Sequence, residues 1–337
     1  MAFAARVLLD SITMRGERLI TFEVTFPRIV LAEFNTHRML ARNSASSRAI
    51  PVTTMLKRLT EDPYIPSVWG ENKKGMQAGA AITGMAEREC IAEWNKAMRN
   101  AMESAARLVD IGVHKQLTNR LLEPFMWHTA LVTATDWDNF FHLRNHPDAH
   151  PDIQTPARLM LQAMEDSKPR ELKEGEWHMP LLQPDEMDSL AEDVSTGMVT
   201  KEEGQSLWLK VSAGRSARVS YLTHEGVRDI WKDIELHDTL VSRGHMSPLE
   251  HVARPMTRSE FESFDGYAIT TERGHVYRMP WPNMFEPVVG AEVGLTGLAP
   301  VDGDKITHVS RGAYCGNYNG WIQYRKTIPR EADILGG

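Results

Sequence analysis

Phe22–Arg48 reads FEVTFPRIVLAEFNTHRMLARNSASSR, and its two parts ask for different backbones. Across Leu8–Leu31, within and ahead of RLITFEVTFPRIVLAEF (18–34), apolar and polar residues alternate with the period of a strand, and the chain then enters a helix at about Pro27. The part that follows, THRMLARNSASSR (Thr36–Arg48), gathers His37, Arg38, Arg42, Asn43, Ser44, Ser46, Ser47 and Arg48 within a few turns of chain. It reads as a loop. Guanidinium, amide and hydroxyl donors at that density suit a phosphate, with Arg48 pairing to it bidentately. A plainer reading stays open for the same residues: an exposed helix end for His37 and Arg38, and a capping loop for Ser44, Ser46 and Ser47.

The rest of the chain sets the frame for that loop. At 337 residues, with 42% hydrophobic and 25% charged residues, it is an ordinary globular composition, enough for one large core or two modest ones. The net charge of -7 argues against coating a nucleic-acid polymer, which needs many cations neutralising many phosphates. Local basic clusters therefore point to small anionic ligands. Cys90 and Cys315 are the only cysteines. Neither a disulfide scaffold nor a thiolate metal site is expected, and a reducing cytoplasm fits best. Charges come too early at the amino terminus for a secretory signal, and no apolar run is long enough to span a membrane.

Ala86–Gly112 repeats apolar residues every three to four positions and ends in glycine, which predicts a long amphipathic helix. A second helix is expected over His114–Leu122, a β-branched strand over WHTALVTATDW (127–137) and a helix over Trp137–Arg144. RNHPDAHPDIQ (144–154) reads as a turn before helical spacing resumes at Ile153–Met164. Asp166–Gly204, rich in Pro, Glu, Asp and Lys, reads as a connector over the surface. A second structured half follows, with a short helix, a further helix over Val227–Ser242 and the turn RGHMSPLEH (243–251). The expected organisation is a half carrying the Thr36–Arg48 loop (1–165), a polar connector (166–204) and a second half (205–337). The fold class is α/β (α+β), a mixed sheet flanked by long helices.

Two more stretches carry candidate chemistry. RSARVSY (Arg215–Tyr221) and RGHMSPLEH are far from Thr36–Arg48 in sequence, yet together with it they read as two halves of one anion site. His245, Glu250 and His251 are metal-ligand residue types, but their spacing and Pro248 do not fit a zinc helix, so no metal is expected. Arg120 and Arg144 follow apolar residues on expected helices, where a surface ion pair is the plainer role.

FEVTFPRIVLAEFNTHRMLARNSASSR resembles the signature of the flavin-dependent thymidylate synthases, an Arg-His-Arg triplet followed by seven residues and a serine. Here the triplet is Thr36, His37 and Arg38, and the serine is Ser46. NFFHLRNHPDAHPDIQ (139–154) is similar to the family's NFLNLR stretch. The family's amino-terminal AARVSF and HGHETPFEH elements have counterparts near the carboxy end, in SARVSYL (217–222) and RGHMSPLEH. This inverted order resembles a circular permutation, which is tolerable where old termini lie close together. GNYNGWIQYRK (316–326) resembles a stretch of longer, phage-type relatives.

The resemblance implies roles residue by residue. Arg144 would promote ionisation of a pyrimidine ring. Ser46, Ser47, Arg48 and Arg120 would hold the nucleotide phosphate, with Gln323 and Arg325 supplying substrate contacts in place of the lost arginine. His37, Arg38, Asn43, Asn139, Ser220, His245, Ser247 and Glu250 would face the cofactor. The implied activity is one-carbon transfer from methylene-tetrahydrofolate to C5 of a pyrimidine deoxynucleoside monophosphate (dUMP to dTMP), with FAD, and NADPH as reductant, in a homotetramer with shared active sites. Thr36, Ala41, Ser44 and Thr135 depart from the family's Arg, Ser, Glu and Arg. Two alternatives follow: a dUMP or dCMP hydroxymethylase, and a nucleotide-binding module without turnover.

Overall fold

The chain is described here from a computed structural model, which covers residues 2–219, 228–262, 266–272, 276–280, 305–311 and 317–328. Strands β1 (Ala4–Thr13) and β2 (Arg18–Pro27) form an antiparallel hairpin. Its turn closes through a hydrogen bond of 2.9 Å from Gly16 N–H to Thr13 O, at a positive φ of 99° that suits glycine. A single 3-10 turn leads into the short helix α1 (Leu31–Asn35). The chain then returns to the sheet as β3 (Ala41–Ser44). Helices α2 (Val52–Glu61), α3 (Met85–Asp110) and α4 (Lys115–Thr118) follow. Next come β4 (Trp127–Ala134), α5 (Asp138–Arg144), α6 (Pro151–Asp166) and β5 (Arg170–Leu172).

These five strands make one sheet in the order β3-β4-β2-β1-β5. All neighbours are antiparallel except β5, which runs parallel to β1, so the sheet is mixed and the α/β class holds. The period of two in β2 explains the core. Ile20, Phe22, Val24 and Phe26 point to one face with Ala130, Val132 and Ala134 of β4, and there they meet Phe34, Phe140, Ile153, Ala157 and Met160 from the helices. On the other face, Leu19 joins Ala41, Leu172, Ala253, Tyr318 and Trp321. From Ile20 to Phe26 these apolar residues alternate with Thr21, Glu23 and Thr25, so the second face of β2 is mostly polar beyond Leu19.

The structure corrects several expectations. Ala41–Ser44 is not loop: it pairs with Thr133–Ala130 of β4 as the edge strand. Lys115–Thr118 is a single α turn, continued by 3-10 turns, where one helix over His114–Leu122 was expected. Asp166–Gly204 is not confined to the surface, because it supplies β5, helix α7 (Pro184–Ser195) and the wholly buried His178. His178 reaches the polar underside of the sheet, with its Nε2 2.8 Å from Thr21 Oγ1 and its Nδ1 2.9 Å from Ser11 Oγ.

Helix α8 (Lys201–Arg218) is far longer than the expected short helix and is largely buried, while α9 (Ile230–Ser242) crosses it at Gly214. The 3-10 turn Ser247–His251 and strand β6 (Ala253–Pro255) lie against the main sheet. α10 (Arg258–Glu262) and a separate three-stranded sheet of β7 (Gly266–Thr271), β8 (Val276–Pro280) and β9 (Ile306–Arg311) follow. The last strand, β10 (Trp321–Gln323), pairs with β6. Among the described residues no helix is long and apolar enough to cross a membrane.

Candidate functional site

The site is built where α1 ends. Its carbonyls run out at Glu33, Phe34 and His37, and two guanidinium groups take them. Arg144, in the last turn of α5, donates from Nη2 to Thr36 Oγ1 at 2.9 Å and to Glu33 O at 3.3 Å, and from Nε to His37 Nε2 at 2.8 Å. Arg42, on β3, donates from Nη1 to His37 O at 2.8 Å and to Phe34 O at 3.3 Å.

His37 is 8% exposed and packs edge-on against Phe140, with ring centroids 5.0 Å apart. Burial, then the charges of Arg144 and Arg42, push its pKa down to about 4, against a weaker upward pull from its hydrogen bond with Asn139. The imidazole is therefore neutral at pH 7. Because Nε2 accepts from Arg144, the ring proton sits on Nδ1. His37 and Asn139, both expected on the cofactor, are thus joined to Arg144 in one hydrogen-bonded unit.

The carboxy-terminal block closes over this unit from the other side. The turn Ser247–His251 packs on β3 and β4, and Glu250 forms an ion pair with Arg325. Glu250 also faces Arg42, raising the guanidinium's pKa against a larger lowering by burial. Tyr318, 2% exposed, donates its hydroxyl to Glu250 O at 2.8 Å. Burial, then the nearby Glu250 charge, holds that phenol well above its ordinary pKa. Asn317 Nδ2 donates to Arg38 O at 3.0 Å, and Asn319 Nδ2 donates to Asp136 Oδ1 at 2.7 Å. Asn43 Nδ2 donates to Ser216 O. The residues 317–328 thus bind the loop after α1 to the turn after β4.

The phosphate candidates lie at the other end of β3. Ser46 and buried Ser47 start a turn in which Ser46 O accepts from Ala49 N–H at 3.0 Å. Asn119 Nδ2 pins that turn through Ser47 O at 2.6 Å and Ile50 O at 2.9 Å. Arg48 is exposed on it, and Arg120 follows Asn119 directly. Glu123 holds Arg120 Nη1 and Arg28 Nη2, each at 3.0 Å. Arg28, Asn35, Arg120 and Glu123 line an open cleft of about 410 Å³.

The remaining candidates scatter. His245 and Ser247 are exposed. Gln323 is 3% exposed, in β10 beside Tyr318, an interior position. Ser220 lies outside the described residues. Sequence reasoning quoted Arg42 without giving it a role, and it passed over Tyr318, Asn317 and Asn319. An arginine two residues from a buried Leu40 on a short polar strand, and three hydrogen-bonding residues in a row before an apolar strand, were the available signals.

Residues 18–170 match the family model described as thymidylate synthase complementing protein. The matched segment contains β2 to β4, α1, α5 and the whole Arg144–His37–Arg42 unit. Two solved structures of the UMP/dUMP methylase PolB from Streptomyces cacaoi are similar. The one bound with 5-Br dUMP has a TM-score of 0.36 and 20% identity, over 44% of this chain and 66% of that chain, so slightly under two thirds of its length is spanned. The one bound with 5-Br UMP has a TM-score of 0.40 and 16% identity, over 48% of this chain and 88% of that chain. No curated protein matches the chain.

Proposed function

We propose that the protein transfers a one-carbon unit from methylene-tetrahydrofolate to C5 of a pyrimidine deoxynucleoside monophosphate, dUMP to dTMP, with FAD as hydride carrier and NADPH as reductant. The observation that carries this reading is Arg144, fixed by Thr36 and His37 inside the family segment. C5 of a pyrimidine is a poor nucleophile until charge accumulates on the ring, and an oriented cation beside N3 and O2 stabilises that charge. Arg144 is that cation. Ser46, Ser47, Arg48 and Arg120 hold the 5′-phosphate, which turns an encounter into an aligned reaction. Glu123 keeps Arg120 extended toward the cleft until a phosphate replaces it.

Arg38, His245 and Ser247 are each exposed, and their guanidinium, imidazole and hydroxyl are the donor types that suit the anionic, acceptor-rich FAD. FAD held there and reduced by NADPH would supply the hydride that converts the exocyclic methylene to methyl. The meeting of Ser247–His251 with β3 supports circular permutation, with Asp166–Gly204 as the joining segment. A homotetramer sharing its sites, in the cytoplasm, completes the reading.

A second reading is favoured by one observation. His37 and Glu250, both expected to serve the flavin, are engaged by Arg144 and Arg325. Without hydride, water would complete the reaction and leave a hydroxymethyl group on dUMP or dCMP. Incubation of the protein with deoxyuridylate or deoxycytidylate and methylene-tetrahydrofolate, with and without NADPH, separates the two by mass. A gain of CH2 that requires NADPH supports methylation, and a gain of CH2O without NADPH supports hydroxymethylation. Arg144→Ala should abolish either product while flavin absorbance is retained. Unchanged turnover in that variant removes the assignment.

A further inference from the structure

We infer that Thr36 is a positioning residue for Arg144, supplying the second of two anchors that fix the guanidinium plane. The inference rests on the reading of Arg144 given above. Thr36 caps the carboxyl end of α1, and its hydroxyl donates to Glu33 O at 2.7 Å. With that proton committed, the oxygen can only accept, and what it accepts is Arg144 Nη2 at 2.9 Å.

The other anchor is His37 Nε2, 2.8 Å from Arg144 Nε. A guanidinium held at one nitrogen can swing about that bond; held at Nε and Nη2 together, it cannot. Glu33 O takes a further Nη2 bond at 3.3 Å. Of the five donors of an arginine, those on Nε and Nη2 are then spent, and among the described residues nothing accepts from Nη1. A single nitrogen with two protons is left at a defined orientation for the acceptor edge of a pyrimidine.

The residue type matters. The family signature has arginine where this chain has Thr36. A second guanidinium there would bring like charge and no acceptor to Arg144, so the anchor could not form. Threonine supplies an acceptor on a short, β-branched side chain with little rotamer freedom to lose.

The test compares Thr36→Val, which keeps the shape without the acceptor, with Thr36→Ser, which keeps the acceptor, using deoxyuridylate, methylene-tetrahydrofolate and NADPH. Thr36→Val should lower kcat about ten-fold or more, the loss expected for a hydrogen bond to a charged group. KM should change by less than about two-fold, because ground-state binding is set mainly at the phosphate. Thr36→Ser should restore most of kcat, and Thr36→Val combined with Arg144→Ala should be no worse than Arg144→Ala alone.

Full kcat in Thr36→Val alongside an inactive Arg144→Ala overturns the inference and leaves the role of Arg144 standing. Full turnover in Arg144→Ala overturns both. Crystal structures of the two variants read the same question without turnover. The Arg144 guanidinium should keep its His37 bond but rotate out of its present plane in the valine variant and hold that plane in the serine variant, and an unrotated guanidinium in Thr36→Val refutes the anchor.

Discussion

Arg42 reaches from β3 to the end of α1 and donates to the carbonyls of Phe34 and His37 at 3.3 and 2.8 Å. It is also the cation that Glu250 faces from the opposite block. Arg42→Met keeps the length and apolar stem but leaves two helix-end carbonyls without their donor. The expected cost is about 1–3 kcal/mol of stability, read as a lower urea midpoint at unchanged m-value. A midpoint equal to that of the unsubstituted protein contradicts this role. Individual residues show what a single sequence can convey. Thr36–Arg48 announced itself as a polar, donor-rich stretch, and Arg144 was legible as the end of NFFHLR. What the spacing could not show was that His37 would accept from Arg144, or that Arg42 would face Glu250. Those pairings depend on how separate elements fold back on one another, and no local period encodes them. The burial of Gln323 was not legible either: a polar side chain on a short strand gives no sign of which face it will occupy.

At the scale of elements, long periodic segments were readable and short ones were not. β2, β4 and α3 carry enough repeats for a period of two or near 3.6 to stand out. β3 and β5 span Ala41–Ser44 and Arg170–Leu172, too few residues to display any period, and they are strands because β4 and β1 offer edges to pair with. The connector did carry a usable signal. Gln183 with Glu186 and Thr200 with Glu203 form capping boxes at the starts of α7 and α8, and such spacing marks helix starts. The packing of α8 on α9 supports a prediction. At Gly214 an added Cβ would stand 2.3 Å from the backbone oxygen of Asp233, and backbone cannot yield as a flexible side chain can. The contact is further tied by Arg215, whose Nε lies 2.9 Å from Asp233 Oδ2, and by Arg218 on the same carboxylate. Gly214→Ala gains helix propensity but forces the two helices apart, with a net loss of about 1–3 kcal/mol. Thermal unfolding checks the sign, since a raised Tm would mean that propensity outweighs the clash.

Across the whole molecule, the buried histidines tie stability to acid. His128, His178 and His251 are each at most 1% exposed, and His37 is 8% exposed. Burial is the leading cause in all four, and it pushes the pKa of His37 down to about 4 and those of His128, His178 and His251 down to about 3, from an ordinary 6.5. In the unfolded chain these rings take up a proton near the ordinary value; in the folded chain they stay neutral until well below it. Between those limits the unfolded state binds more protons, so its share grows as pH falls. Stability is therefore level above about pH 6.5 and declines through the window from about 6.5 towards 4 and below, each histidine adding up to about 1.4 kcal/mol per pH unit. Asp152, whose pKa burial raises, pulls the other way, but it is one group against five, since burial also lowers the pKa of His237. The buried chain from His178 through Thr21 and Thr133 to His251 makes the loss structural, because a charged His251 carries a proton on both ring nitrogens, and among the described residues its buried Nε2 has no hydrogen-bond partner to accept one. Urea unfolding followed from about pH 7.5 down to about pH 5 should show a flat midpoint, then a steep fall, and His251→Gln should make the fall shallower. A midpoint that rises on acidification over this window would mean that the rings are charged in the folded protein, and the neutral His37 on which Arg144 rests would go with it.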